Sequence, residues 1–169
     1  MPHRALGTYV RSTWNFYDYD LCVACAALGL GTSFQLSFEN NSPRGEIFLV
    51  KKIQITAAPG TLITVGAGTL TFPGTSFAAS SVARVNPSLG KPPGIWGEAT
   101  SIISLPQAFY YVGSTLGEEI IEGPADGEAC ILPVNYAVAI VGNSSSGGTV
   151  AASIWYLPII DRHAPRGQS

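Results

Sequence analysis

The chain has 169 residues, enough for one domain with a real core, since area scaling leaves roughly 69% of the open-chain surface buried if it folds alone. Only 12% of its residues are charged while 46% are hydrophobic, against about 25% charged in an ordinary soluble domain, so there are too few charges to coat a free monomer. A net charge of −2, with no basic cluster beyond Lys51-Lys52, excludes nucleic acid as a principal ligand; no apolar run reaches the about 20 residues of a membrane span, which excludes a membrane partner.

The N-terminal residues 1–20 form an irregular arm that carries Tyr9, Trp14, Phe16, Tyr17 and Tyr19. So many aromatics make poor solvated tail, and they are expected to cover one end of the domain or to anchor on a neighbouring subunit. No secretory leader is legible here, so synthesis and assembly in the cytosol are expected. Residues 21–30 are small and apolar and read as a buried strand or short helix closed by Gly29-Leu30-Gly31. Their Cys22-Val23-Ala24-Cys25 spacing invites a zinc or redox reading. With Cys130, His3 and His163 as the only other N or S donors, and three cysteines in all, buried thiols fit better than a metal site or a disulfide framework.

Phe34, Leu36 and Phe38 alternate with Gln35, Ser37 and Glu39, the pattern of a half-buried strand. The run 46–56 follows after the turn-rich 39–45, and the pair reads as a hairpin. Within it Ile47, Leu49, Ile53 and Ile55 share one parity that Lys51 interrupts, so a bulge or barrel rim is expected at Lys51-Lys52. From 57 to 86 the chain is rich in Gly, Ala, Ser and Thr, with short apolar pieces at 62–65, 70–72 and 81–85 and turns at Pro59-Gly60, Gly66-Ala67-Gly68 and Pro73-Gly74. Residues 87–97, with three prolines and three glycines, read as the longest loop, and this loop carries Trp96.

Further strands are expected at 102–112, 118–122 and 129–134, and the runs 136–141 and 149–157 around a Gly/Ser/Asn turn read as a closing hairpin. No stretch sustains a period near 3.6 with caps, and no repeat of fixed length occurs. Eight to ten antiparallel strands must dispose of their sheet edges, which a closed barrel or a double-sheet jelly roll does. The irregular strand spacing and the long loop point to the second. The fold is therefore read as all-β, a single jelly-roll-like antiparallel β-sandwich over 21–160, with the arm at 1–20 and a C-terminal tail at 161–169.

Chemistry is hard to place on this frame. Double-stranded barrel enzymes hold a metal with two or three His and a carboxylate, and this chain offers only His3 and His163. There is no Gly-x-Ser-x-Gly elbow, and with so little His a Ser-His-Asp triad would have to recruit His163 from the C-terminal tail. The acidic run Glu118, Glu119, Glu122, Asp126 and Glu128 is the one place for a hard cation, but its spacing matches no known loop. A solvated strand and turn explain it better, and around a symmetry axis the same carboxylates could face Arg residues of a neighbour. No enzyme, catalytic residue, cofactor or metal is expected. Trp96, Tyr110 and Tyr111 are candidate platforms for stacking on a glycan, with Trp96 alternatively plugging the open end of the sandwich. Asn40-Asn41-Ser42 precedes a Pro and does not favour glycosylation.

The segment from Phe38-Glu39-Asn40-Asn41-Ser42-Pro43-Arg44-Gly45 to Ile53, with Val138-Ala139-Ile140-Val141-Gly142-Asn143 and Ala152-Ser153-Ile154-Trp155-Tyr156-Leu157-Pro158, resembles small jelly-roll virion proteins of tailed bacteriophages. It does so in texture rather than by a diagnostic motif, over the first and last thirds of the domain. The resemblance implies a structural protein of the virion: a head decoration or cement protein, commonly a homotrimer, that clamps the major capsid protein and is assembled in the host cytoplasm. Other readings of the same residues are a tail, baseplate or fibre-tip module that binds a host surface glycan, and a single-jelly-roll capsid subunit.

Overall fold

The computed structural model describes residues 20–30, 33–69, 80–99, 105, 107–123, 127–144 and 147–160. In chain order these form β1 (Cys22–Leu30), β2 (Ser33–Glu39), β3 (Glu46–Thr56), β4 (Leu62–Gly68), β5 (Ser80–Arg84), a 3-10 turn (Pro87–Leu89), β6 (Ile95–Ala99), β7 (Ala108–Val112), β8 (Glu118–Glu122), β9 (Cys130–Leu132), β10 (Ala137–Asn143) and β11 (Gly148–Ile160). One sheet has the order β5-β1-β11-β3-β8, with β9 on the other half of β3; the second has the order β6-β2-β10-β4-β7.

The pairings nest. β1 pairs with β11, β2 with β10, β3 with β8 and β4 with β7, all antiparallel, as in one long hairpin wound around itself. Rolling that hairpin adds β11 to β3 and β10 to β4 and closes two facing sheets. This is the jelly-roll topology. β5, β6 and β9 are additions that lengthen its edges.

The two hairpins expected from the sequence are not hairpins. β2 and β3 lie in opposite sheets, and so do β10 and β11, so each connection crosses from one sheet to the other. A two-residue turn forces its flanking strands to pair, whereas the connections at 40–45 and 144–147 are long enough to bridge sheets about 10 Å apart. Residues 66–68 continue β4 rather than turning, and the stretch 87–97 ends in a strand, β6, with Trp96 inside it. The readings at 70–72, Pro73-Gly74 and 102–104 fall outside the described residues.

The bulge is where the charges put it. Trp155 pairs with Lys52 and Tyr156 with Val50, which leaves Lys51 as the extra residue of β3. Its effect on the parity differs from the expectation: Phe48 and Val50 face the core before the bulge and Ile53 and Ile55 after it, while Ile47 and Leu49 lie on the other, half-buried face. One inserted residue switches the inward register.

The core joins Phe34, Leu36 and Phe38 of β2, Ile63 and Val65 of β4 and Val138 and Ile140 of β10 to Phe48, Val50, Ile53 and Ile55 of β3 and Ile154 and Tyr156 of β11. β1 contributes Cys22, Ala24 and Ala26, whose small side chains make room for the large ones opposite. At one end of the sandwich Phe38 is the hub: its ring centroid is 6.0 Å from Phe48, 5.2 Å from Trp96 and 5.1 Å from Tyr156. The Tyr156 hydroxyl donates to Pro93 O at 2.6 Å, which satisfies the polar tip of a buried ring. Gly94 (φ +128°) passes so close that a Cβ there would sit 2.7 Å from Phe38 Cε2.

The connections gather at the two ends. At one, Gly60 N donates to Thr115 O at 2.8 Å and Thr115 N to Thr61 O at 3.0 Å, which joins the β3–β4 and β7–β8 loops. At the other, buried Asn40 fastens the β2–β3 turn to the β9–β10 turn. Its Nδ2 donates to Glu46 O at 2.7 Å and Leu132 O at 2.8 Å, its Oδ1 accepts from Ser42 N at 3.0 Å, and its backbone bonds Tyr136 O and Asn135 N.

Candidate interaction surface

The residues singled out in the sequence do not converge on one site. Tyr9, Trp14, Phe16, Tyr17 and Tyr19 lie outside the described residues, as do His3, His163 and Asp126. Trp96 is 2% exposed and tilted against Phe38, so it offers no face to a sugar; the stacking role is corrected to the plug at the sandwich end. Tyr110 is half-buried and donates its hydroxyl to Glu119 Oε2 at 3.0 Å; burial first, and then this carboxylate, push its pKa up. Tyr111 is 71% exposed and, with exposed Phe109, retains an open ring face on the edge strand β7.

Cys22 and Cys25 point to opposite faces of β1. Cys22 belongs to the core, and burial raises its pKa to about 11, whereas the Sγ of Cys25 lies 3.4 Å from Ser153 Oγ on the outer face. The two cannot share a metal ion. Cys130 is on β9, where burial raises it to about 12, and all three thiols are free. The described acidic residues each engage a different partner. Glu118 meets Gln54, Glu119 meets Tyr110, Glu122 meets Lys52 at 3.9 Å, and Glu128 meets Lys51 at 2.6 Å. They line one sheet edge rather than converging on an ion.

Three of the described cations, by contrast, do gather. A cleft of about 480 Å³ opens between the β2–β3 turn, the end of β5 and the loop that leads to β6, and Arg44, Arg84 and Lys91 line it together with Glu46, Leu89 and Pro93. Its walls are fixed locally. Asn86 Oδ1 caps the 3-10 turn by accepting from Ser88 N at 3.1 Å, and Asn41 Oδ1 accepts from Gly94 N at 2.7 Å, tying the loop to the turn. The lone carboxylate, Glu46, already accepts from Ser42 Oγ at 2.6 Å. Arg84 is held by Asp20 at 3.5 Å with its side chain only 11% exposed, and its Nε is buried without an acceptor among the described residues. Lys51 and Lys52 have carboxylate partners, but among the described residues Arg44 and Lys91 form no ion pair.

No local sequence pattern marks this cleft, because Arg44 is remote in the chain from Arg84 and Lys91. Only the crossing of the β2–β3 turn to the end of β5 brings them together. The nearest local signals were the Pro43-Arg44 and Lys91-Pro92-Pro93 pieces, which mark ordinary loops.

No protein-family model matches the chain, and no curated protein matches it in sequence. Among solved structures, a chain of Broad Bean Stain Virus is similar over 86% of this chain and 86% of its own length, at 10% identity and a TM-score of 0.29. A chain of nora virus aligns with 86% of this chain and 59% of its own length, at 13% identity and a TM-score of 0.25. A chain of a marine algae virus of the order Picornavirales aligns with 83% of this chain and 49% of its own length, at 10% identity and a TM-score of 0.12.

Proposed function

We propose that the chain is a structural, self-associating protein of a virus particle, with no chemistry of its own. The observation that carries this reading is the nested strand order around an interior filled by Phe34, Phe38, Phe48, Trp96 and Tyr156, so that the described part of the sandwich offers surfaces and edges to neighbours. Fold alone does not give function, since jelly rolls host many. The low charged fraction adds the second support, because a surface with few charges suits a chain that spends its life against neighbours. In its finer form the protein is a head decoration or cement protein that reinforces the major capsid protein, with the Tyr9 to Tyr19 aromatics crossing to a neighbour. Each added contact then lowers the population of separated shell subunits by mass action.

Electron microscopy of the purified protein, alone and mixed with emptied, expanded phage heads, tests this. Regular decoration of the heads supports the cement form, and closed shells from the protein alone support a capsid subunit. If it neither assembles nor decorates any particle, the structural reading fails. Exposed Tyr111 beside Phe109 favours a second reading, a glycan-binding module of a tail or fibre. Binding to host polysaccharide that Tyr111→Ala abolishes would select it.

A further inference from the structure

The basic cleft and the acidic run lie on opposite edges of one sheet. β5 carries Arg84 at one edge, next to Arg44 and Lys91, while β8 carries Glu118, Glu119 and Glu122 at the other. Apolar residues accompany both: Val85 and Leu89 are exposed beside the cleft, and Ile120 and Ile131 are exposed beside the carboxylates. Asp20 and Glu46 offset part of the positive charge at one edge, and Lys51 and Lys52 part of the negative charge at the other, so each keeps an excess of one sign among apolar side chains and the two excesses are complementary. A surface whose complement sits elsewhere on the same molecule makes a heterologous, head-to-tail contact, which closes into a ring or runs on from copy to copy.

From this we infer that the Arg44–Arg84–Lys91 cleft receives the acidic β8 edge of a second copy of this chain. The inference rests on the structural reading above and specifies the contact by which it associates. Arg84, largely buried and braced by Asp20, is a fixed charge at the floor; Arg44 and Lys91, without ion-pair partners among the described residues, supply the rim that meets the exposed Glu118 and Glu122. Charge steers and selects such a contact, and apolar burial of Val85 and Leu89 against Ile120 and Ile131 contributes the affinity.

The test uses the full chain in sedimentation and light scattering. The wild type is expected to exceed one chain in mass at low salt and to dissociate as salt rises, because exposed charges are screened over about 10 Å at 0.1 M. Arg44→Glu with Lys91→Glu is expected to weaken association by about tenfold or more, and so is Glu118→Lys with Glu122→Lys. Mixing the two variants is expected to restore it, since the acidic cleft of one then meets the basic edge of the other. Melting curves confirm that each variant folds, and Arg44→Gln with Lys91→Gln gives a milder version whose reduced salt slope reads the same contact.

A wild type that stays monomeric at low salt, a cleft reversal that leaves the mass unchanged, or variants that fail to restore each other on mixing would each overturn the proposal. So would a cleft that binds a short oligonucleotide and loses it on the same reversal while self-association persists. The two readings fail separately. Particles that assemble normally from the charge-reversed chain leave the structural role standing and remove this contact. Salt-sensitive oligomers from a chain that neither assembles nor decorates a particle do the opposite.

Discussion

Asn40 is the side chain whose removal the fold should tolerate worst for its size. It is fully buried and makes three side-chain hydrogen bonds, two donated to Glu46 O and Leu132 O and one accepted from Ser42 N. A net hydrogen bond contributes about 0.5–1.5 kcal/mol, and a buried group left unpaired costs about 1–3 kcal/mol. Asn40→Ala strands two carbonyls and an amide, so a loss of roughly 3–4 kcal/mol is expected once partial rearrangement is allowed. For a domain of this length each kcal/mol moves the melting point about 2–4 °C, which gives a fall of about 6–16 °C. Calorimetry and urea titration measure it.

Asn40→Asp sharpens the test, because it keeps the Oδ1 acceptor for Ser42 N but presents a second oxygen to two carbonyl oxygens. Only the protonated acid can donate there, so the folded-state pKa of the new carboxyl lies above its unfolded value of about 3.9. A raised acid pKa means that the variant loses stability as pH rises through and above that unfolded value. Relative to wild type, Asn40→Asp is expected to be closer to parity at pH 4 than at pH 7. An alanine variant melting within 2 °C of wild type, or an aspartate variant that improves towards pH 7, would refute this account of the clamp.

Gly94→Ala, which drives a Cβ into the Phe38 ring at positive φ, should cost about 3 kcal/mol or more, whereas Gly90→Ala, with open space around it, should cost about 1 kcal/mol; urea midpoints compare them. Trp96→Ala should cost about 3–5 kcal/mol, and Trp96→Phe clearly less, because the indole N–H it removes is buried without an acceptor among the described residues. Thiol labelling of the folded chain at pH 8 should spare Cys22 and Cys130, held at about 11 and about 12 by burial, and reducing agents should leave the melting point unchanged. The Lys51 hydrogen bond holds Glu128 below the ordinary carboxylate value of 4.5, so its stabilisation is present above that pH and lost as pH falls through the depressed pKa. The pair is partly exposed, so Glu128→Gln should change stability by under about 1 kcal/mol at pH 7 and by less at pH 3.

The strands were legible wherever apolar residues alternate with polar ones, although β2 is not the half-buried strand that alternation predicts, since Gln35 and Ser37 are buried as well. Phe34, Leu36 and Phe38 announce β2, and Glu118–Glu122 was bounded correctly because its flanks are glycine-rich. The Lys51 bulge was legible because a charge broke a period of two. Pairing was not. Alternation says which side chains face the core but not across which sheet, so two connections that reverse the chain looked the same as hairpins. Trp96 was assigned to a loop because Pro92, Pro93 and Gly94 dominate its neighbourhood, although the strand begins immediately after them. The cleft had no local signature at all, since its three cations come from a turn, a strand end and a loop that only the tertiary fold assembles.

The charge deficit resolves into where the charges are placed. The sheet containing β5 and β11 presents small residues on much of its outer face, with Cys25, Ala27, Ser81, Ala151 and Ser153 around a shallow concavity. On the other sheet, Gln35, Ser37, Ala139 and Val141 point away from the core and are buried as well. Among the described residues Arg84 of β5, Glu98 of β6 and Glu118, Glu119 and Glu122 of β8 sit on edge strands, the parts of an open sandwich that invite uncontrolled pairing with other chains. In the contact inferred above, an edge guarded by Glu118 and Glu122 repels its own kind and accepts a basic partner. A chain with so few charges can thus be selective about its neighbours, provided that the charges sit where contacts form.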